Sequence, residues 1–349
     1  MSQTQTIALD AMGGDHGPKV VVPAAKMALE QKQDLHFIFV GDQSAIEKEL
    51  DHYPDLRGVS EVVHTTKMIA NHEKPSAALR NSKDSSMRMA IECVKEGRAQ
   101  SVVSAGNTGA LMAISKIILK PLPGISRPAI ASIFPTVKGK TVMLDLGANL
   151  TCDAEVLMQF SVLGAVYARV VMGIDKPSVG LLNVGTEDQK GHEEVREAAT
   201  ILSQVEFPGR YHGFIEGNDI ALGTVNVVVT DGYTGNVALK TAEGVGKMTS
   251  QFMRDAFKSS PFAMLGYMLA SGAMKRLKTR VDPRTYNGGM FLGLNGVCVK
   301  SHGGSDELAT MHAILTAADL VDNGFNERVC VEIEQLMNQE SFISAAVMS

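Results

Sequence analysis

Along this chain, short apolar runs of strand length end in polar, glycine-bearing turns, and each turn passes into a stretch of helical periodicity. Thr6–Asp10, Leu35–Gly41, Val59–His64, Ser101–Ser104, Ala129–Phe134, Thr141–Asp145, Val179–Val184, Tyr211–Glu216 and Asn226–Thr230 read as strands. Helical patterns cover Pro18–Lys32, Gln43–Leu50, Ser85–Glu96, the segment ahead of Pro121, Ala154–Met172, His192–Gln204 and the stretch from Gly232 towards Phe257. Asn287–Lys300 is Gly-rich with strand-like pieces, and Asp306–Asn323 and Glu327–Gln339 close the chain as helices. Such alternation builds a mainly parallel sheet covered by helices on both faces, a three-layer α/β/α fold. A chain of 349 residues, 45% of them hydrophobic, is long enough for a large core, and we read residues 1–349 as a single large α/β domain.

Ligands of open α/β sheets bind beyond the carboxyl ends of the strands. Four strand ends here carry Gly and Asn together: Gly106-Asn107, Gly147-Ala148-Asn149, Gly217-Asn218 and Gly235-Asn236. Gly permits a positive-φ turn, and Asn can cap the next helix. These features fit ordinary βα loops. They also fit a pocket: if the sheet is parallel, the loops gather on one edge and present backbone N–H groups and neutral amides, with Lys190, His16 and His302 as charged members. The stretch Val179–Glu193 is the sharpest instance. A short apolar run turns through Gly185 and enters a helix near His192, with Lys190 in the turn. Helix N-termini and consecutive backbone N–H groups attract anions, and a lysine adds a full charge. An ordinary βα loop with a surface lysine accounts for the same residues.

Composition excludes other classes. A net charge of −5, no Trp and 5% aromatics leave neither the basic face nor the stacking platform of a nucleic-acid binder. Cys93, Cys152, Cys298 and Cys330 are far apart and form no Cys-x-x-Cys pair, which suits reduced thiols in the cytoplasm. No signal peptide and no run of 18 apolar residues is visible, so a cytoplasmic, non-spanning protein is expected. Dinucleotide, P-loop, zinc and nucleophile-elbow motifs are missing. Asp10, Asp15, Asp145 and Asp231 stand near strand ends, where carboxylates commonly bond loop backbone. The pattern points to anion positioning by amides and one or two cations, with no metal and no cofactor.

Four stretches, taken in order, resemble one family. They are Asp10-Ala11-Met12-Gly13-Gly14-Asp15-His16, Ser104–Ala110 (SAGNTGA), Leu181–Asp188 (LLNVGTED) with Lys190-Gly191, and Thr230–Val237 (TDGYTGNV). Together they are similar to the acyl-carrier-protein:phosphate acyltransferases of bacterial phospholipid synthesis. The resemblance implies transfer of a long-chain acyl group from acyl carrier protein (ACP) to inorganic phosphate, giving acyl phosphate for glycerol 3-phosphate acylation. It also implies an isocitrate/isopropylmalate-dehydrogenase-like fold, a homodimer and no nicotinamide or metal. It casts Lys190, Asn236 and Asp231 as catalytic. Gly13, Gly14, Asp15, His16, Gly106, Asn107, Thr108, Gly185, Thr186 and Gly235 then bind phosphate or substrate.

Residues 255–285 interrupt the βα rhythm. Phe262, Leu265, Met268 and Leu269 make an apolar cluster, and Lys275, Arg276, Lys278 and Arg280 follow. This suits a protruding interfacial helix on anionic lipid, and equally a dimer-interface or core helix. The resemblance favours a peripheral tip at the inner face of the cell membrane, near the downstream membrane acyltransferase. ACP is acidic, so Lys67, Arg80, Lys83 and Arg88 form a candidate docking patch. Two rivals stand beside this reading: a short-chain phosphate acetyl- or butyryltransferase using coenzyme A, and a non-catalytic scaffold that brings ACP to the membrane.

Overall fold

A computed structural model describes residues 4–280 and 289–347. Residues 281–285 of the expected insertion lie outside the described residues. In chain order the elements are β1 (Gln5–Asp10), α1 (Pro18–Gln31), β2 (Leu35–Gly41), α2 (Gln43–Leu50), α3 (Pro54–Arg57), β3 (Ser60–His64), α4 (Pro75–Asn81), α5 (Ser86–Lys95), β4 (Ser101–Ser104), α6 (Thr108–Ile118), β5 (Ala129–Thr136) and β6 (Gly139–Leu144). They continue as α7 (Ala154–Met172), β7 (Ser178–Leu182), α8 (Glu193–Gln204), β8 (Arg210–Ile215), α9 (Gly217–Leu222), β9 (Val227–Val229), α10 (Gly232–Lys258), α11 (Pro261–Arg280), β10 (Gly289–Leu292), β11 (Val297–Lys300), α12 (Glu307–Asp322) and α13 (Phe325–Val347).

All eleven described strands join one sheet in the order β3-β2-β1-β4-β11-β10-β5-β6-β9-β7-β8. Side chains alternate between its faces, because successive strand residues point opposite ways. Ile7, Leu9, Phe37, Phe39, Val227 and Val229 enter one core with α1, α7, α8, α12 and α13. Ala8, Ile38, Val40 and Val228 enter the other with α5, α6 and α9. Both faces are covered, so the strands read as continuous apolar runs and the three-layer α/β/α expectation holds. Helix α7 is long and apolar enough to cross a membrane, but 72% of that apolar stretch is buried in the protein. It lies against the sheet with α12 and α13 over it, and Gly164 admits it closely: a Cβ there would come 2.5 Å from Val227 Cγ1.

The sheet is mixed at its centre, and that corrects the expectation of a single loop edge. β1, β2, β3, β4 and β11 run parallel. β10 is antiparallel to both β11 and β5, and β5 is antiparallel to β6. β6, β9, β7 and β8 then form a second parallel block running against the first. The loops therefore fall into two groups at opposite ends of the strands.

The Gly-Asn pairs also divide. Asn107 caps α6, accepting the Ala110 N–H at 2.9 Å as expected. Gly217 and Asn218 are not loop residues but the first turn of α9, where the Glu216 N–H donates to Asp219 at 3.0 Å. Gly235 and Asn236 lie inside the first turns of α10, whose cap is Asp231. Asn149 precedes α7, which Asp153 caps. A carboxylate takes the cap position in both of the last two cases, upstream of Asn236 and downstream of Asn149, and Asn149 Nδ2 instead donates to Pro128 O at 2.8 Å and Asp145 at 2.9 Å.

Candidate active site

The second parallel block places three loops side by side. β6, β9 and β7 are adjacent and parallel, with Leu144 opposite Val229 and Leu181 opposite Val229. The turn at 145–149, the start of α10 and the Lys190 loop thus leave the sheet together.

The Lys190 loop is tied down through its backbone. The Lys190 N–H donates to Glu187 O at 3.0 Å, and Asn183 Nδ2 donates to Lys190 O at 3.0 Å. Arg196, on α8, reaches back with Nη1 to Gln189 O at 3.3 Å and Gly191 O at 3.4 Å. Gly191 has φ +85° with the Asn183 amide against its Cα, so only glycine fits. Gly185 is buried, with Lys190 Cγ 3.2 Å from where its Cβ would be, while Lys190 and Thr186 are exposed. The loop's frame is fixed, and the ammonium is left to solvent and ligand.

Asp231 accepts the Thr234 N–H at 2.8 Å and the Thr234 hydroxyl at 2.9 Å, so both its oxygens hold the first turn of α10. That turn interlocks with the 145–149 loop: the Gly232 N–H donates to Asn149 O at 2.7 Å, and Gly235 packs on Asp145 O. Gly147, at φ +123°, lies against Asn236, whose Cβ is 3.6 Å from the site a Gly147 Cβ would occupy. Asn236 itself is exposed. Asp145 is fully buried and accepts from Ile130 N, Ala148 N, Asn149 N and Asn149 Nδ2 at 2.7–3.1 Å. Burial raises its pKa, and these bonds oppose the rise. Beside Asp145 and Asp231, burial pushes the Cys152 thiol up to about 12, which keeps it an uncharged spectator.

The first block holds the other expected residues. Ser104 Oγ donates to Asp10 Oδ2 at 2.6 Å and accepts the Gly106 N–H at 3.1 Å. A Cβ on Gly13 would meet Asp10 Oδ2 at 2.6 Å and Gly106 N at 2.8 Å, so the loops after β1 and β4 touch backbone to backbone. The Asp15 N–H donates to Gly303 O at 2.9 Å, which brings in the loop after β11. Asn107 Nδ2 donates to Asn71 O at 2.8 Å and Glu73 O at 2.9 Å, and Asn71 Nδ2 donates to Asp15 at 3.1 Å. Asp15, His16 and Thr108 are exposed. The structure thus gathers Gly13, Gly14, Asp15, Gly106 and Asn107 into one group, and Lys190, Gly185, Thr186, Asp231, Gly235 and Asn236 into another.

Of the basic quartet, Lys67, Arg80 and Lys83 are exposed, and Arg80 lies on α4, a helix absent from the sequence reading. Arg88 is engaged with Glu92 at 2.8 Å and Ser82 at 3.2 Å, and Lys67 Nζ donates to Lys83 O at 2.7 Å. Phe262, Leu265, Met268 and Leu269 are 54–86% exposed on α11. Among the described residues no three His, Cys, Asp or Glu side chains converge as metal ligands do. A cavity of about 330 Å³ between Thr6, His36, Ser60 and Arg98 sits at the amino ends of β1–β3, away from both loop groups. Sequence reasoning missed Arg196, which looks like any helix residue, and Lys300, which ends an apolar strand run.

A cation and amide donors at the carboxyl ends of adjacent strands, on a three-layer sheet without a nucleotide fingerprint, define an α/β enzyme that handles an anion. The family model described as fatty acid synthesis protein matches residues 5–328, and the chain belongs to that family. Its relatives include a phosphate acyltransferase of Rhodospirillum centenum, 55% identical over all of this chain and 98% of that protein. A phosphate acyltransferase of Caulobacter vibrioides is 51% identical over all of this chain and 96% of that one. The fold resembles a phosphotransacetylase from Streptococcus pyogenes, with TM-score 0.61 and 19% identity over 92% of this chain and 95% of the other. The EutD phosphotransacetylase from Staphylococcus aureus gives TM-score 0.55 and 17% identity over 91% and 94%. The chain is an acyltransferase, and phosphate is the acceptor.

Proposed function

We propose that this acyltransferase takes a long-chain acyl group from acyl-ACP and gives it to inorganic phosphate, supplying acyl phosphate for glycerol 3-phosphate acylation. The observation that carries the reading is the Lys190 loop, held by its backbone beside the Asn236 turn with the ammonium and amide left unencumbered. Inorganic phosphate is already an anion near neutrality, with a substantial dianionic fraction to act as nucleophile. The departing thiol, of pKa about 8.5, leaves readily as thiolate. Neither step needs a strong base or acid. A phosphate oxygen attacks the thioester carbon, and the carbonyl oxygen becomes an oxyanion. Its collapse breaks the C–S bond, and the thiolate takes a proton from water. The enzyme must bring two electron-rich partners together and stabilise the oxyanion. Lys190 supplies the charge for this, Asn236 a neutral donor, and Asp231 the alignment of α10.

The two loop groups act as opposite walls. A right-handed twist of about 20–25° per strand accumulates to about 120–150° over the six steps from β1 to β9. On this reading that rotation offsets most of the reversal between the blocks, so that both sets of carboxyl ends serve one site. The acidic Asp10 and Asp15 suit the donor's neutral arm better than phosphate, which belongs with Lys190. Offering palmitoyl-ACP and acetyl-coenzyme A in turn, with and without phosphate, tests the reading. Phosphate-dependent thiol release from palmitoyl-ACP is expected. Preference for acetyl-coenzyme A points to the short-chain transferase, and no release from either points to the scaffold.

The helical pair α10–α11 carries the partner reading, with the rings of Phe257 and Tyr267 packed between them, tilted, with centroids 5.1 Å apart. Tyr233, Val237, Val245, Met248 and Phe252 are 49–66% exposed and follow one another along α10 at helical spacings of three, four or, once, eight residues. Such a stripe suits a second copy of the chain. The first half of α11 exposes Phe262, Met264, Leu265, Tyr267, Met268 and Leu269 all round the helix. That distribution suits lipid, with Lys275 and Arg276 next in sequence for anionic headgroups. A cytoplasmic homodimer resting its tip on the membrane would release its greasy product beside the membrane enzyme that consumes it.

A further inference from the structure

Lys300 is a lysine where the fold has no evident need of one. It ends β11, every residue of which is buried, and is itself only 9% exposed. Its Nζ donates to Ala105 O at 3.2 Å and to Ser301 O. These carbonyls open the loops after β4 and β11, the same loops that Gly13, Gly106 and Gly303 lock to the loop after β1. A lysine is almost never buried without a compensating role, since desolvating an ammonium is expensive. Its charge partners are Asp10 and Asp15. Asp10 is 2% exposed, and its Oδ1 has no hydrogen-bond partner even though Oδ2 receives Ser104. A buried cation and a half-satisfied buried carboxylate at the junction of three ligand-edge loops form a costly arrangement, and such groups concentrate at functional sites.

We propose that Lys300 is a positioning residue of the acyl-transfer site: its ammonium, seated on the Ala105 and Ser301 carbonyls and facing Asp10 and Asp15, holds the three loops in the arrangement that receives the acyl donor. The inference rests on acyl transfer to phosphate, not on which carrier bears the acyl group. Lys300 acts on the donor wall, so its loss is felt in the use of the thioester and not in phosphate binding. Burial draws its pKa down to about 8 against the pull of Asp10 and Asp15. Cys298, the remaining titratable group beside it, is pushed up to about 12 and stays neutral. The arrangement therefore loosens as pH passes through about 8.

The test uses the full-length enzyme with Lys300→Met, Lys300→Arg, Asp10→Asn and the double variant Asp10→Asn/Lys300→Met, offered both ACP and coenzyme A thioesters. A loss of about 10- to 100-fold in kcat/KM for the thioester is expected in Lys300→Met, the equivalent of one charge-assisted hydrogen bond. KM for phosphate should be unchanged, and the alkaline fall in kcat/KM near pH 8 should vanish from the residual activity. Lys300→Arg keeps the charge and should recover part of the loss. Lys300→Met leaves the buried Asp10 without its counter-charge, and the double variant removes both charges, so it should melt above Lys300→Met without regaining the kcat/KM. Recovery of both would make the pair a structural ion pair and overturn the inference, as would wild-type kinetics in Lys300→Met. If Lys300→Met does not fold, the wild-type profile decides: a fall in kcat/KM through about pH 8 supports the inference, and a flat profile from pH 7 to 9.5 overturns it. Carrier identity is read separately, from the wild-type preference between the two thioesters.

Discussion

Lys190 and Asp231 both stand in loops that follow strands, yet the structure treats them differently. Lys190 holds its loop only through backbone groups, so removing its side chain costs the fold little. Lys190→Ala is expected to leave the melting temperature within the range of an exposed substitution, about 0.5 kcal/mol. It should lower acyl phosphate formation by about 10²–10³-fold, the effect of losing one oxyanion donor. Wild-type-like turnover of the purified variant would remove Lys190 from the chemistry. Asp231 spends both carboxylate oxygens on Thr234. Asp231→Ala should cost about 1–2 kcal/mol as a lost N-cap and disorder the turn that presents Asn236. Asp231→Asn keeps an acceptor and should preserve both melting and turnover. Lost turnover with unchanged melting would show that the carboxylate's charge is needed in the reaction itself.

At the scale of elements, α10 and α11 expose more large apolar side chains than any other pair among the described residues. The two readings of this surface predict different failures. Leu265→Glu and Leu269→Glu on α11 should abolish flotation with anionic liposomes while leaving the molecular mass in solution at that of a dimer. Met248→Glu on α10 should instead produce monomers by light scattering. If the α11 variants float like the wild type, that helix belongs to a protein interface. The element boundaries themselves were largely legible. Strand β2 and helix α7 match their expected ends because apolar periodicity stops at Gly41 and Gly173. The short α4 was not, because its seven residues carry two charges or amides at the end and no clear apolar stripe.

For the whole molecule, pH separates function from stability. Lysine in the unfolded chain titrates near 10.5, and Lys300 in the folded protein near 8. Between those values the unfolded chain binds more protons, so this group's contribution to stability improves as pH rises. Below about 8 the cost of holding a charged buried lysine is fully present. Activity that depends on the charged form runs the other way and falls as pH rises through about 8. The stability gap between wild type and Lys300→Met should therefore change in the wild type's favour from pH 7.5 to 9.5, while wild-type kcat/KM drops. Parallel trends in melting and turnover would contradict this account.

The residues alone determined a great deal. The alternation of apolar runs with helical periodicity dictates strands buried on both faces, hence three layers. The loops from Asp10 to His16, around Asn107, around Lys190 and from Asp231 to Asn236 carry the family in their local residue order. Those properties depend on neighbours in sequence, within a turn or a strand. What the tertiary structure decided depends on partners far apart in the chain. The antiparallel strand β10 arrives more than 150 residues after β5 and wedges between β5 and β11, a place set by distant pairing partners and not by composition, while the β5–β6 hairpin beside it reverses the second block. Asn236 has the residue type and place of a cap, but Asp231 accepts the Thr234 N–H in its stead. Lys300 is in sequence the polar end of a strand-like piece, and it is buried only because β4 and the loops beside it close over it; burial belongs to the assembled sheet and not to any single residue's sequence context.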